Sequence, residues 1–143
     1  MMNASATAIL HITLPLKRFM LIEQCPPQWQ ALDLYVFRDK DVVFYVGQSA
    51  CAFERAWEHL HSGFRGRSLV GRFILCNWPA SLSYHLELMS SQAERFASVG
   101  QERTAAEGYL IQSTNPSPRH LQLCFFRQSL FSADGPGSVW RLF

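Results

Sequence analysis

The sequence predicts an α/β (α+β) domain, a small and mainly antiparallel three-stranded sheet flanked by helices. Three observations carry this. Two β-branched and aromatic runs, Leu34-Tyr35-Val36-Phe37 and Val42-Val43-Phe44-Tyr45-Val46, are joined by the short charged stretch Arg38-Asp39-Lys40-Asp41, which spells a hairpin. Phe53, Ala56, Trp57 and Leu60 then fall at i, i+3, i+4 and i+7, a single apolar stripe on a helix over 50–61. The order that results is strand, strand, helix, helix, strand, helix. Hairpin-linked strands pair antiparallel, and the helices must cover their apolar faces.

The elements follow in order. Residues 1–7 are small and polar and specify no element. A short strand is expected over 9–16, and Pro15 argues against a central position for it. Cys25-Pro26-Pro27 is a break. Residues 1–30 read as an N-terminal extension, 31–119 as the domain, and 120–143 as a C-terminal extension packing on it. Ser49 is the expected cap of the first long helix, and Gly63 its expected stop. Phe64-Arg65-Gly66-Arg67 is a basic loop. A second helix is expected over 68–76, ended by Asn77-Trp78-Pro79. Residues 81–89 alternate as a third strand, with Leu82, Tyr84, Leu86 and Leu88 on one face. Residues 90–100 are polar and irregular. A third helix is expected over 104–113, terminated by Asn115-Pro116-Ser117-Pro118. The tail holds an apolar run, 121–126, and a turn at Gly135-Pro136-Gly137.

Composition narrows the function classes. The chain has 143 residues, enough for one domain with a real core, and is 48% hydrophobic and 17% charged. A formal charge of +2 permits contact with nucleic acid without demanding it; a strong electrostatic case wants a pI above about 9. The four cysteines, Cys25, Cys51, Cys76 and Cys124, form no C-x-x-C pair, so no zinc site is read, and they are expected to be reduced thiols of a cytoplasmic protein. No apolar run reaches about 18 residues, and Lys17-Arg18 follow the apolar N-terminal stretch instead of preceding it; neither a membrane span nor a secretory signal is expected.

The most specific pattern spans Leu32 to Arg119. Asp33-Leu34-Tyr35 precedes Tyr45-Val46-Gly47 on the hairpin. Arg55 follows Gly47 by eight residues, and His59 lies one helical turn further on. Glu107 opens Glu107-Gly108-Tyr109-Leu110-Ile111, with Pro116 nine residues after the glutamate. In this order and spacing the chain resembles the GIY-YIG nuclease family. Leu34 and Tyr35 stand in the first triplet, where Asp33 replaces the glycine. Tyr45, Val46 and Gly47 stand in the second. Arg119 takes the place of the closing asparagine.

The resemblance implies a metal-dependent endonuclease acting on DNA, with RNA left open as a substrate. In that scheme Tyr35 is the general base and Tyr45 orients the water or shares the proton relay. Arg55 donates to the non-bridging phosphate oxygens, and His59 assists. Glu107 is the sole carboxylate on Mg²⁺ or Mn²⁺. This chemistry is sound. A hydrated Mg²⁺ needs only one or two carboxylates, an arginine fork suits phosphate, and a phenol of pKa near 10 serves as a base only if its surroundings favour the phenolate. Arg65, Arg67 and Arg72, with Phe64 and Trp78 nearby, are the expected nucleic-acid-binding cluster.

Each residue also has a structural reading. The tyrosines fit as half-buried sheet residues, Arg55 as a solvated helix face and His59 as a helix histidine. Thr104-Ala105-Ala106-Glu107 is the spelling of a capping box, in which Glu107 would bond a backbone N–H. Two other functions therefore stand beside the nuclease. One is a nucleic-acid-binding module that keeps the fold without turnover. The other is an interaction protein, a homodimer or the recipient of a targeting partner, using Trp29, Phe125, Phe126, Trp140 and Phe143.

Overall fold

The computed structural model describes residues 8–40, 42–65 and 67–116. Arg119, the apolar run 121–126, Cys124 and the expected C-terminal extension lie outside them. The elements are β1 (His11–Pro15), α1 (Leu16–Phe19), β2 (Leu34–Asp39), β3 (Val42–Gln48), α2 (Ala52–Phe64), α3 (Leu69–Cys76), β4 (His85–Met89) and α4 (Arg103–Thr114), with short 3₁₀ segments at Pro27–Trp29, Ala80–Ser83 and Glu94–Val99. The strands form one sheet of order β1-β4-β2-β3, every neighbour antiparallel.

The fold is thus α+β, as expected, with four strands where three were expected. The extra strand is β1, which pairs with β4 from His11↔Met89 to Pro15↔His85. It is an edge strand that ends at its proline, where a missing N–H costs least. Leu16 and Phe19 of α1 are fully buried, so residues read as an extension belong to the main core. β4 starts later than expected because Ala80–Ser83 close a 3₁₀ turn, with Tyr84 N–H bonded to the Ser81 carbonyl.

β2 is buried along Leu34–Phe37, so successive side chains feed two cores. Tyr35 and Phe37 point to a large core with Phe44, Phe53, Leu60, Phe73, Leu86 and Leu88 under α1, α2 and α3. Leu34 and Val36 point to a smaller one with Val46, Met89, Phe96, Ala106 and Leu110 under α4. α2 buries most of the predicted stripe: Phe53, Ala56 and Leu60 are 2%, 0% and 3% exposed, and Trp57 is half-buried. A fully buried Phe or Leu of this kind contributes about 2 kcal/mol relative to its exposed state.

Two boundary expectations are corrected. Cys51 is the N-cap of α2, without a side-chain cap bond; Ser49 Oγ instead accepts from Cys51 N–H at 3.3 Å, in the turn before the helix. Gly63 does not stop α2, which runs to Phe64. It lets α3 come close: a Cβ at Gly63 would strike the Gly71 backbone, and one at Gly71 would strike Gly63 and the His59 carbonyl. The two glycines set a close helix contact, and that contact positions His59.

Candidate active site

Pairing Tyr35 with Gly47 and Phe37 with Tyr45 puts the two tyrosines on a diagonal of one sheet face. Their rings stack with centroids 5.9 Å apart. The sheet has no side chain at Gly47 for a reason: a Cβ there would occupy the space of the Tyr35 ring carbon and hydroxyl. Gly47 is the seat of the phenol. Tyr35 is 2% exposed, whereas Tyr45, on the edge strand β3, is only half-buried.

α2 brings His59 under this pair. His59 Nε2 lies 2.8 Å from the Tyr35 hydroxyl, and His59 Nδ1 lies 2.8 Å from Ser68 Oγ. Ser68, the N-cap of α3, also accepts from Gly71 N–H at 3.1 Å. The Tyr45 ring meets the imidazole edge-on at 5.2 Å between centroids. Burial, and after it the Arg55 charge, lowers the His59 pKa to about 4, so the ring is neutral at pH 7. Burial also raises the Tyr35 pKa, with Tyr45 adding to the rise; the Arg55 charge opposes it. Arg55 itself is half exposed, with Nη1 2.6 Å from Glu58 Oε2 one turn along, and this bond holds its pKa up.

Glu107 is not a capping residue. α4 begins at Arg103, and its N-cap is Glu102, whose carboxylate accepts from Thr104 N–H at 3.0 Å and Ala105 N–H at 2.7 Å. Those bonds lower the Glu102 pKa. Glu107 sits one turn inside the helix, half-buried, and its Oε2 accepts from Gln48 Nε2 at 2.8 Å. The same nitrogen lies 3.3 Å from Thr104 Oγ1. Gln48 directly follows Gly47, so Glu107 is tied to the end of the strand that carries Tyr45, but it comes from α4, which covers the Leu34, Val36 and Val46 face of the sheet, whereas Tyr35 and Tyr45 lie on the other face. Among the described residues no three His, Cys, Asp or Glu side chains gather as a metal-binding group. A metal at Glu107 would rest on one carboxylate, with the Thr104 hydroxyl sharing the same Gln48 nitrogen. That set of hard oxygen donors fits a hydrated Mg²⁺ or Mn²⁺.

Asp33 does not face the tyrosines. It precedes the first residue of β2, and its carboxylate accepts from Ser91 N–H at 2.7 Å and Ser91 Oγ at 2.6 Å, with Arg103 Nε 3.4 Å away. The start of the strand separates two residues that ideal alternation would place on one face. Arg65 and Arg67 are exposed in the α2–α3 loop, next to the Ser68 that anchors it to His59, and Arg72 lies half-buried on α3. Trp78 is 47% exposed. A cavity of about 700 Å³ lies elsewhere, between Glu23-Gln24-Cys25 and the outer face of α2, and it touches this cluster at Glu58. Burial, then Cys51, pushes the Cys25 thiol there up to about 12, so it is no nucleophile. No helix of the described residues is long and apolar enough to cross a membrane.

Two side chains bonded to motif residues have no place in the motif themselves: Gln48, which holds Glu107, and Ser68, which holds His59. The only sequence signals were Gln48's position after Tyr45-Val46-Gly47 and Ser68's position before an apolar helix. Comparison with protein-family models, curated proteins and solved structures gives no match.

Proposed function

We propose that this chain is a divalent-metal-dependent endonuclease of the GIY-YIG type, hydrolysing phosphodiester bonds in DNA. The observation that carries the reading is the hydrogen-bonded stack of Tyr35, Tyr45 and His59 beside Arg55, with Glu107 held by Gln48 at the end of the same hairpin. Tyr35, in its phenolate form and paired with Tyr45, takes the proton of the attacking water. Arg55 leaves Glu58 to donate its fork to the non-bridging oxygens as charge builds on the phosphate. His59, neutral, holds the Tyr35 hydroxyl. Glu107, oriented by Gln48, is the carboxylate for the metal, which when bound supplies charge neutralisation at the phosphate and at the leaving 3′ oxygen. Arg65, Arg67 and Arg72 hold the nucleic-acid backbone.

One observation favours the second reading, a nucleic-acid-binding module without turnover. Tyr35 is 2% exposed and its pKa is raised, both of which oppose its use as a base. Incubation with supercoiled plasmid and Mg²⁺ or Mn²⁺ separates the two: nicking supports the nuclease, and retained DNA binding without nicking supports the module.

A further inference from the structure

We infer that Ser68 is a positioning residue that fixes the tautomer of His59, so that the imidazole donates to Tyr35 and leaves the phenol oxygen as an acceptor. The inference rests on the nuclease reading and deepens it.

The argument is hydrogen-bond accounting. Ser68 is 7% exposed and His59 8% exposed, so their polar groups need partners within the protein. Ser68 Oγ already accepts from Gly71 N–H at the start of α3. If His59 Nδ1–H also donated to it, the Ser68 hydroxyl proton would be buried with no acceptor among the described residues. If Ser68 O–H donates to Nδ1, every proton is used. A neutral imidazole has one N–H, which then sits on Nε2 and donates to Tyr35 across the 2.8 Å contact. The Tyr35 proton is turned away from His59, toward Tyr45 and the open edge of β3. A donated hydrogen bond favours the phenolate, so this polarity partly offsets the burial that opposes it. The groups that face His59 are Tyr35 and Tyr45 from the sheet, Arg55 and Glu58 from its own helix, and Ser68 from the loop before α3. Among the described residues only Ser68 reaches Nδ1.

Two nearly isosteric variants separate polarity from shape. Ser68→Asn keeps an oxygen to cap α3 and an N–H to donate to Nδ1. Ser68→Asp keeps the cap but can only accept, which forces a proton onto Nδ1. The probe is the pair of His59 ring ¹⁵N chemical shifts, read together with single-turnover nicking of supercoiled plasmid. Wild type and Ser68→Asn should show Nε2–H with bare Nδ1 and nick at similar rates. Ser68→Asp should show protonated Nδ1, a raised His59 pKa, and nicking slower by on the order of 10²-fold. Protonated Nδ1 in the wild type overturns the assignment even if neither variant folds. A tautomer that flips in Ser68→Asp without slowing cleavage overturns the positioning role. If the wild type shows the Nε2–H form but nicks no DNA with either metal, the nuclease reading fails while the tautomer assignment survives.

Discussion

His59 Nε2 and the Tyr35 hydroxyl lie 2.8 Å apart in the space between α2 and the sheet, where both side chains are buried. Neither group can ionise there without cost. Burial takes the His59 pKa from 6.5 to about 4, so between those values the unfolded chain binds a proton that the folded one does not. The stability that neutral His59 represents is complete above pH 6.5 and is lost as pH falls toward 4. Thermal unfolding followed over this range should steepen in the wild type relative to His59→Gln, which cannot titrate. Parallel curves would show that His59 is not buried as a neutral ring.

Gly47 seats the Tyr35 phenol, and a methyl group there has nowhere to go. Gly47→Ala is expected to destabilise the fold by about 1–3 kcal/mol, the range for overpacking. It should also displace Tyr35 from His59. Urea unfolding gives the first effect and the Tyr35 ring resonances the second. Unchanged stability would mean that the hairpin register differs from Tyr35↔Gly47.

Asp33 is a structural carboxylate, because both of its oxygens serve Ser91. Asp33→Gly, which puts the glycine of the GIY-YIG first triplet at this position, should therefore cost about 1–3 kcal/mol, from the buried donors left without partners. It should bring no gain in cleavage. Faster cleavage at unchanged stability would place Asp33 at the phosphate after all.

The hairpin, the stripe of α2 and the extents of α3 and α4 were legible because each is written in local periodicity. β1 was half legible: five residues ending in a proline say strand, but only its pairing with β4 makes it part of the sheet. Gly63 was misread as a helix stop because its contact, Gly71, lies on another helix. The capping-box alternative for Glu107 fails because Glu102, two residues before Thr104, reaches the free N–H groups first. The candidate site was legible only as residue types at spacings. Gln48 and Glu107 are 59 positions apart, and His59 and Ser68 are joined across a loop, so their bonds belong to the folded chain alone.

Arg55 tests whether charge alone suffices. Its guanidinium is engaged by Glu58 and acts on Tyr35. Arg55→Lys keeps the charge and loses the planar fork, so it should slow cleavage nearly as much as Arg55→Ala, on the order of 10²-fold in single turnover. A loss confined to DNA affinity, with the bound complex cleaving at the wild-type rate, would make Arg55 a binding residue.

The central claim is that Glu107 is the carboxylate of a working nuclease centre. Nicking of supercoiled plasmid with Mg²⁺ or Mn²⁺, wild type against Glu107→Gln, tests it most directly. The amide preserves size, lies where the Gln48 bond can be remade, and is a poor ligand for a hard cation. The expected result is conversion of supercoiled to nicked DNA by the wild type and none by Glu107→Gln, with the two proteins unfolding at the same temperature. Cleavage by Glu107→Gln at the wild-type rate, or no cleavage by a wild type that still binds the plasmid, would contradict it.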